Sequence, residues 1–186
     1  MKKLITFCLV FAAGSCFAQQ PPANPLTGAE RGVYMFLTHN VVAGAEKMPE
    51  ENYSFRPTAD VRTFGQLVGH LADANNMFCG MVLGEPPATA SIEKTKTAKA
   101  DLVQALKDAI AHCGKAFDAT TDANGVETVK FMGRDFPKLT VLSVNTAHNY
   151  EHYGNMVTYM RIKGIVPPSS EQAAPAPPKL ATPNAH

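Results

Sequence analysis

Apolar residues that recur every three to four positions are the feature that most constrains the fold of this 186-residue chain. This spacing places them on one face of an α-helix, and it extends over four long segments. The segments cover residues 29–48, 63–83, 91–117 and 139–163. Because each predicted helix has an apolar face to bury, we expect an all-α fold, a four-helix bundle over residues 27–166.

The ends of the predicted helices have residues that commonly begin and end helices. Thr27 is a suitable N-cap for the first helix, either Thr58 or Thr63 for the second, and Gly84 ends the second. The third segment contains a charged, threonine-rich stretch at residues 93–99. We expect that stretch to be frayed or exposed to solvent.

The stretch between the third and fourth segments is the least helical part of the region. Asn124-Gly125 predicts a turn. The residues that follow, 126–131, alternate enough to predict a short strand or an extended loop. We therefore expect this connection to lie outside the helices.

Both ends of the chain are predicted to lie outside the bundle. Residues 1–18 have the layout of a secretory signal peptide, with lysines followed by an apolar run and small residues. Residues 19–26 are expected to be a flexible lead-in, and the proline- and alanine-rich residues 167–186 a disordered tail. The sequence therefore predicts an exported protein, either periplasmic or secreted.

Cys16 provides an alternative interpretation of the N-terminus. Ala13-Gly14-Ser15-Cys16 resembles a lipoprotein box, and cleavage before Cys16 would leave that residue lipidated. Such boxes usually have leucine where this chain has Ala13, so we favour cleavage after Ala18. Contact with a membrane is expected only in the lipidated alternative.

Charge and length exclude several classes of protein. Removal of Lys2 and Lys3 with the signal peptide leaves 15 basic residues against 16 acidic ones, a net charge of −1. The chain has no basic stripe, which argues against nucleic acid as a partner. Its length predicts one domain with its own core, and no segment after the signal peptide is apolar enough to cross a membrane.

Two cysteines, Cys79 and Cys113, remain in the chain if cleavage follows Ala18. In an exported protein such a pair is a candidate disulfide. The alternative is that they are two small buried apolar residues on separate helices. Both interpretations stay open, because the sequence does not show whether the two Cα atoms come within bonding range.

Histidines give the main indication of function. His148 and His152 are four residues apart in the fourth predicted helix, so their imidazoles lie on the same face. His70 borders the apolar face of the second predicted helix and needs a polar partner there, which a shared metal ion would provide. Three histidines would leave one position open for water or substrate, as in catalytic zinc sites. The alternative is that His70 is a hydrogen-bonded core residue and that the other two are a chance pair.

The segment from His148 to His152 also fits H-x-x-E-H, a metallopeptidase signature in which Glu151 would be the general base. That class needs an acidic ligand well downstream, and here only Glu171 follows, in the predicted tail. We therefore expect Glu151 to face water or to act as an outer-shell partner of an imidazole. Asn145 and Asn149 are further candidates for that outer shell.

Four runs of residues carry a resemblance to a known family: FRP at 55–57, VRTFGQLVGH at 61–70, NYEHYGN at 149–155 and YMRIKGIVPPS at 159–169. They resemble the start of the second helix, and the last helix with the segment after it, in the DinB-like (DinB/YfiT) superfamily. The resemblance covers roughly residues 27–170. It implies a four-helix bundle with a divalent metal ion held by three histidines, one on the second helix and two on the fourth.

Carried over by motif, the ligands that the resemblance implies are His70, His148 and His152. Zinc, nickel and iron are all associated with the family, and imidazole suits each of them. Members of the wider superfamily include thiol-dependent transferases and isomerases, and many are described as metal-dependent hydrolases. The thiols of those transferases are cytosolic, so predicted export argues against a thiol transferase.

We therefore expect a metal-dependent hydrolase or transferase of the cell envelope that acts on an unknown small molecule. One alternative is a metal-binding or stress-associated helical bundle without turnover. Another is a structural homodimer whose histidines hold no metal.

Overall fold

Helices dominate the computed structural model, which describes residues 23–171. The helices are α1 (Pro25–Lys47), α2 (Phe64–Leu83), the short α3 (Ile92–Thr95), α4 (Lys99–Ala119) and α5 (Lys138–Ile162). Strands β1 (Thr128–Phe131) and β2 (Arg134–Pro137) lie between α4 and α5, and 3₁₀ turns cover Glu50–Asn52 and Pro168–Ser170. The predicted signal peptide, Cys16 and residues 172–186 lie outside the described residues.

The four long helices pack as a bundle. α2 packs against α4 and α5, and α1 also packs against α5 and α4. Their apolar faces meet in a core that includes the fully buried side chains of Tyr34, Leu37, Phe64, Leu71, Leu102, Leu106, Leu142 and Met156. Burial of one such side chain stabilises the fold by about 1.5–3 kcal/mol. The helical fold predicted from apolar periodicity is confirmed.

Both ends of α2 match the predicted signals. The hydroxyl of Thr63 accepts a hydrogen bond from the Gln66 N–H at 3.1 Å, and the Gln66 side chain accepts one from the Thr63 N–H at 2.9 Å. This reciprocal pair is a capping box. Gly84 ends the helix with a φ of 75°, in the left-handed region that favours glycine. These ends fix the position of His70 in the second turn of α2.

The start of α1 differs from the prediction. The helix begins at Pro25 rather than after a Thr27 cap, and proline is well tolerated at this first position. The carboxylate of Asp122 accepts hydrogen bonds from the N–H groups of Leu26 and Thr27, at 3.0 and 2.8 Å. The last part of the predicted flexible lead-in, residues 19–26, is therefore helical. Asp122, which accepts these hydrogen bonds, is 95 residues from Thr27 in the chain, so no local sequence pattern predicts this contact.

The third predicted helix, residues 91–117, is divided into α3 and α4. The carboxylate of Asp73 on α2 accepts three hydrogen bonds, from the Ser91 hydroxyl and from the N–H groups of Ile92 and Glu93, at 2.7, 2.7 and 3.0 Å. These bonds hold α3 against α2. The prediction that the stretch from Glu93 onward is frayed or exposed is therefore wrong at its start, where the Glu93 side chain is only 20% exposed.

A β-hairpin between α4 and α5 makes the fold mostly helical rather than all-α. β1 confirms the strand predicted within residues 126–131, and it pairs antiparallel with β2, with Phe131 opposite Arg134. Met132 and Gly133 form the turn, with φ values of 50° and 76°. β2 was not predicted, because its sequence RDFP does not alternate and ends in proline, which is rare within strands.

The segment after α5 folds back on the bundle. The N–H of Ser169 donates a hydrogen bond to the Tyr153 hydroxyl at 3.1 Å, and Lys47 forms an ion pair with Glu171. The folded region therefore extends to residue 171, beyond the boundary of 166 that the sequence predicted. Within residues 23–171, no helix combines the length and the apolar character needed to cross a bilayer.

Candidate metal centre

Three histidines from two helices come together in the bundle. His70 extends from α2, and His148 and His152 extend from successive turns of α5. The Nε2 atom of His148 lies 3.2 Å from Nε2 of His70 and 3.1 Å from Nε2 of His152. The three nitrogens all lie within 4.8 Å of one another. The structure thus brings together the three residues that the sequence indicated as ligands.

The geometry and chemistry of this cluster fit a transition-metal ion. Tetrahedral sites with Zn–N bonds of about 2.0–2.1 Å place their nitrogens roughly 3.3 Å apart. If His148 carried its proton on Nε2, it could donate to only one of its two neighbours. If all three rings carried their protons on Nδ1, three Nε2 lone pairs would face one another with no donor between them. A cation at the meeting point would accept the lone pairs of all three Nε2 atoms at once.

Burial lowers the pKa of each of the three imidazoles. For His70, loss of hydration is the largest cause, followed by the positive charge of Arg62 and by the neighbouring His148. Loss of hydration is also the largest cause for His148 and His152, and another imidazole of the cluster is the next cause for each. A lowered pKa keeps an imidazole neutral near pH 7, and neutral imidazole is the form that binds metals.

Two cavities adjoin the histidine cluster. The first has a volume of about 700 Å³ and is lined by His70 and His148 together with apolar side chains of α2 and the loop after it, including Met77, Phe78, Met81, Pro86 and Pro87. The second has a volume of about 680 Å³ and is lined by His152, Arg62 and Asn155. Glu93 lines both cavities. Their volumes are within the range of sites that bind small molecules.

Comparison with known proteins gives the family of this chain. The family model described as the DinB superfamily matches residues 35–156, a range that contains all three histidines. The chain belongs to the DinB superfamily. This confirms the family resemblance that the sequence indicated, and the matched range includes the runs at residues 55–57, 61–70 and 149–155.

Two solved structures of DinB-like proteins share the fold. The crystal structure of one from Bacillus cereus has a TM-score of 0.68 and 17% sequence identity, and the match covers 76% of this chain and 95% of that one. The crystal structure of another, from Bacillus subtilis, has a TM-score of 0.59 and 15% identity, with coverages of 79% and 96%. No curated protein matches the chain. At these identities the comparison shows the DinB-like fold alone.

The outer contacts of the histidine cluster in this DinB-superfamily chain differ from the predicted ones. Nδ1 of His70 lies 3.3 Å from a carboxylate oxygen of Glu93, and Nδ1 of His152 lies 3.3 Å from the side-chain amide nitrogen of Asn155. Sequence reasoning did not single out either residue. Asn155 is three residues after His152, a spacing that brings side chains together on a helix, whereas Glu93 comes from a separate segment.

The three predicted outer-shell residues make other contacts. Asn145 and Asn149 are buried in an amide network with Asn75, whose Oδ1 accepts hydrogen bonds from Nδ2 of Asn145 at 2.9 Å and of Asn149 at 3.3 Å. Glu151 is exposed. Within residues 23–171, none of the three hydrogen-bonds to an imidazole of the cluster. Asn145 and Asn149 therefore stabilise the bundle rather than the imidazoles, so the outer-shell prediction is wrong for these two. The exposed position of Glu151 agrees with the expectation that it faces water.

Cys79 and Cys113 form a disulfide between α2 and α4, with their Cα atoms 5.1 Å apart. The sequence alone left this pairing open. The amide nitrogen of Asn145 lies 3.6 Å from the sulfur of Cys79 and 3.5 Å from that of Cys113. The disulfide thus adjoins the amide network and links α2 covalently to α4.

Acidification is expected to destabilise the metal-free protein. The three imidazoles have lowered pKa values in the folded state, so the unfolded chain takes up protons first as the pH falls below the ordinary value of 6.5. The stability that depends on these neutral imidazoles is complete above about pH 6.5 and is lost as the pH falls toward the folded-state pKa values. Arg62 adds to the lowering of all three values, whereas nearby Glu93 and Glu151 oppose it.

Melting temperatures of chelator-treated protein between about pH 7.5 and 5.5 measure this effect. His152→Ala should flatten the dependence, because one of the imidazoles that resist protonation is removed. His39→Ala, which removes an exposed imidazole on α1, is the control and should keep the wild-type slope. Equal slopes for the wild type and His152→Ala would contradict the prediction.

Proposed function

We propose that His70, His148 and His152 bind a divalent transition-metal ion, and that the protein uses it as a hydrolase or transferase acting on a small molecule. The observation that carries this proposal is the convergence of three Nε2 atoms beside a cavity of about 700 Å³. Membership of the DinB superfamily supports it. Zinc, nickel and iron remain the candidate ions, because imidazole ligands suit all three.

Some residues around the site would bind the ion, and others would bind the substrate. The three imidazoles would hold the ion by their Nε2 atoms. The bound ion would lower the pKa of a water or thiol, or would polarise an oxygen of the substrate. Apolar walls such as Met77 and Phe78 would bind the uncharged part of the substrate and exclude water. Lys130 and Glu85 at the same cavity would orient its polar groups.

The disulfide supports the proposal that the protein works outside the cytoplasm. Disulfides persist in oxidising compartments and are rare where cellular thiols keep cysteines reduced. Cys79 and Cys113 are both fully buried, so their bond is structural rather than exposed for exchange. We therefore propose that the protein is exported to the cell envelope and acts on a substrate found there.

A turnover screen tests the catalytic part of the proposal. Metal-free protein would be loaded separately with zinc, nickel and iron and offered ester, amide and thiol-plus-electrophile substrates. We expect turnover with at least one metal, and we expect it to be lost in His70→Ala, which retains the cavity but lacks one ligand. A loaded protein that turns over none of these classes would favour the metal-binding bundle without catalysis. Activity that survives in His70→Ala would show that the reaction does not use this site.

A further inference from the structure

The short helix α3 lies directly over the part of α2 that carries His70. Three hydrogen bonds to the Asp73 carboxylate hold its first residues in place, from the Ser91 hydroxyl and the N–H groups of Ile92 and Glu93. Asp73 is one helical turn after Gly69 and His70 in sequence. The chain is thus attached to α2 at the turn next to the candidate ligand.

Gly69 allows α3 to approach α2 this closely. A Cβ atom at Gly69 would lie 2.7 Å from Cα and 3.0 Å from N of Glu93, and 3.2 Å from Cδ2 of Leu102. The two nearest atoms belong to the backbone, so a larger residue at this position would push α3 away from α2. The absence of a side chain beside His70 therefore determines where Glu93 lies.

Each oxygen of the Glu93 carboxylate has its own partner. Oε1 accepts a hydrogen bond from Nε of Arg62 at 2.9 Å, and Oε2 lies 3.3 Å from Nδ1 of His70. The Glu93 side chain is 20% exposed, so water competes only weakly for these contacts. Arg62 thereby orients the carboxylate so that its second oxygen faces the imidazole.

We propose that Glu93 is a positioning residue for the metal ligand His70, held in place by Asp73, Gly69 and Arg62. Its carboxylate accepts the Nδ1–H of His70, which fixes the tautomer whose Nε2 lone pair points toward His148 and His152. A carboxylate in this role also makes the imidazole a stronger electron donor to the ion. The inference rests on the proposed metal site.

The three ligands are therefore supported unequally. The imidazole of His70 has a charged acceptor, whereas Nδ1 of His152 lies beside the amide nitrogen of Asn155, which is itself a donor. Nδ1 of His148 is buried without a hydrogen-bond partner among the described residues, so the orientation of this ring depends on packing. Its ring centroid lies 5.9 Å from that of Phe78. Among these contacts, the Glu93 carboxylate is the one whose removal should weaken metal binding most.

Cobalt(II) and zinc titrations of metal-free protein, in competition with a chromophoric chelator, test this role. Glu93→Ala should raise the Kd for each ion by about 10- to 100-fold. Glu93→Gln keeps an oxygen that can accept the Nδ1–H and should lie between Glu93→Ala and the wild type. The visible spectrum of bound cobalt(II) should change in Glu93→Ala, because the orientation of one ligand is no longer fixed.

Glu151→Ala is the matched control. It removes a carboxylate of the same charge next to His152, but Glu151 is exposed and, within residues 23–171, has no hydrogen bond or ion pair with an imidazole of the cluster, so the Kd should change by less than about threefold. Equal weakening in Glu151→Ala and Glu93→Ala would mean that general charge, rather than the contact with His70, is responsible, and it would overturn the proposal. An unchanged Kd in a folded Glu93→Ala protein would also overturn it.

Gly69→Ala provides a second test that leaves the Glu93 side chain intact. It should displace α3 and weaken metal binding in the same direction as Glu93→Ala. Gly154→Ala is its control, because a Cβ there meets nothing within 4 Å. A Gly69→Ala protein with a wild-type Kd would show that the placement of Glu93 does not matter. Failure of the wild-type protein to bind either ion would instead refute the proposed metal site, so the two failures can be told apart.

Discussion

Replacement of His148 with alanine is expected to abolish stoichiometric zinc binding and the stabilisation that zinc gives to the wild-type protein. Nε2 of His148 lies 3.2 Å from that of His70 and 3.1 Å from that of His152, so it links the ligand on α2 to the other ligand on α5. An ion that binds only the folded state at 100 times its Kd adds about 2.7 kcal/mol to the free energy of unfolding. The wild type should gain about this amount, and the variant should gain almost nothing.

Metal content after dialysis against zinc and thermal unfolding with and without zinc measure the two effects. His39→Ala is the control, because it removes an exposed imidazole from α1 and leaves the cluster intact. That variant should bind one equivalent and show the full rise in melting temperature. If His148→Ala retained a full equivalent of zinc, the three histidines would not be the binding site.

Replacement of both Cys79 and Cys113 with alanine is expected to lower the free energy of unfolding by about 2–5 kcal/mol. The disulfide joins residues that are 34 positions apart, so it restricts the unfolded chain over a long loop. Its loss would also remove the sulfur atoms that lie beside the buried amide of Asn145. Urea denaturation of the wild type and the double variant measures the difference.

The single variants provide an internal control for the disulfide. Cys79→Ala and Cys113→Ala each break the same bond, so each should lose most of the stability that the double variant loses. Wild-type protein that has been unfolded, reduced, alkylated and refolded should unfold near the midpoint of the double variant. A double variant within about 0.5 kcal/mol of the wild type would contradict a stabilising role for this bond.

The parts of the fold that the sequence predicted correctly depend on residues close together in the chain. The N-cap hydrogen bond between Thr63 and Gln66 and the pairing of His148 with His152 each involve residues three or four positions apart. The parts that differ depend on distant partners. Asp122 accepts the first N–H groups of α1, and Asp73 holds α3 against α2. Such contacts have no local periodicity or motif that would indicate them.

The same distinction applies to the candidate site. The ligands could be predicted from helical spacing, apolar faces and family resemblance. The outer contacts could not, because Asn145 and Asn149 face the buried Asn75 rather than the imidazoles. Glu93 reaches His70 from a segment that charge alone predicted to be exposed. A hydrogen-bond partner that comes from another segment becomes evident only when the fold is known.

The position of α2 has a consequence for how the protein would respond to its surroundings. This helix is bonded covalently to α4, and the proposed ion would connect it to α5. The first connection depends on an oxidant and the second on a supply of metal. Without an oxidant α2 would keep its connection to α5 through the ion, and without metal it would keep its disulfide to α4. Reducing conditions combined with metal starvation would remove both connections and leave only the apolar packing of α2. Unfolding and degradation should therefore rise most steeply when the two stresses coincide.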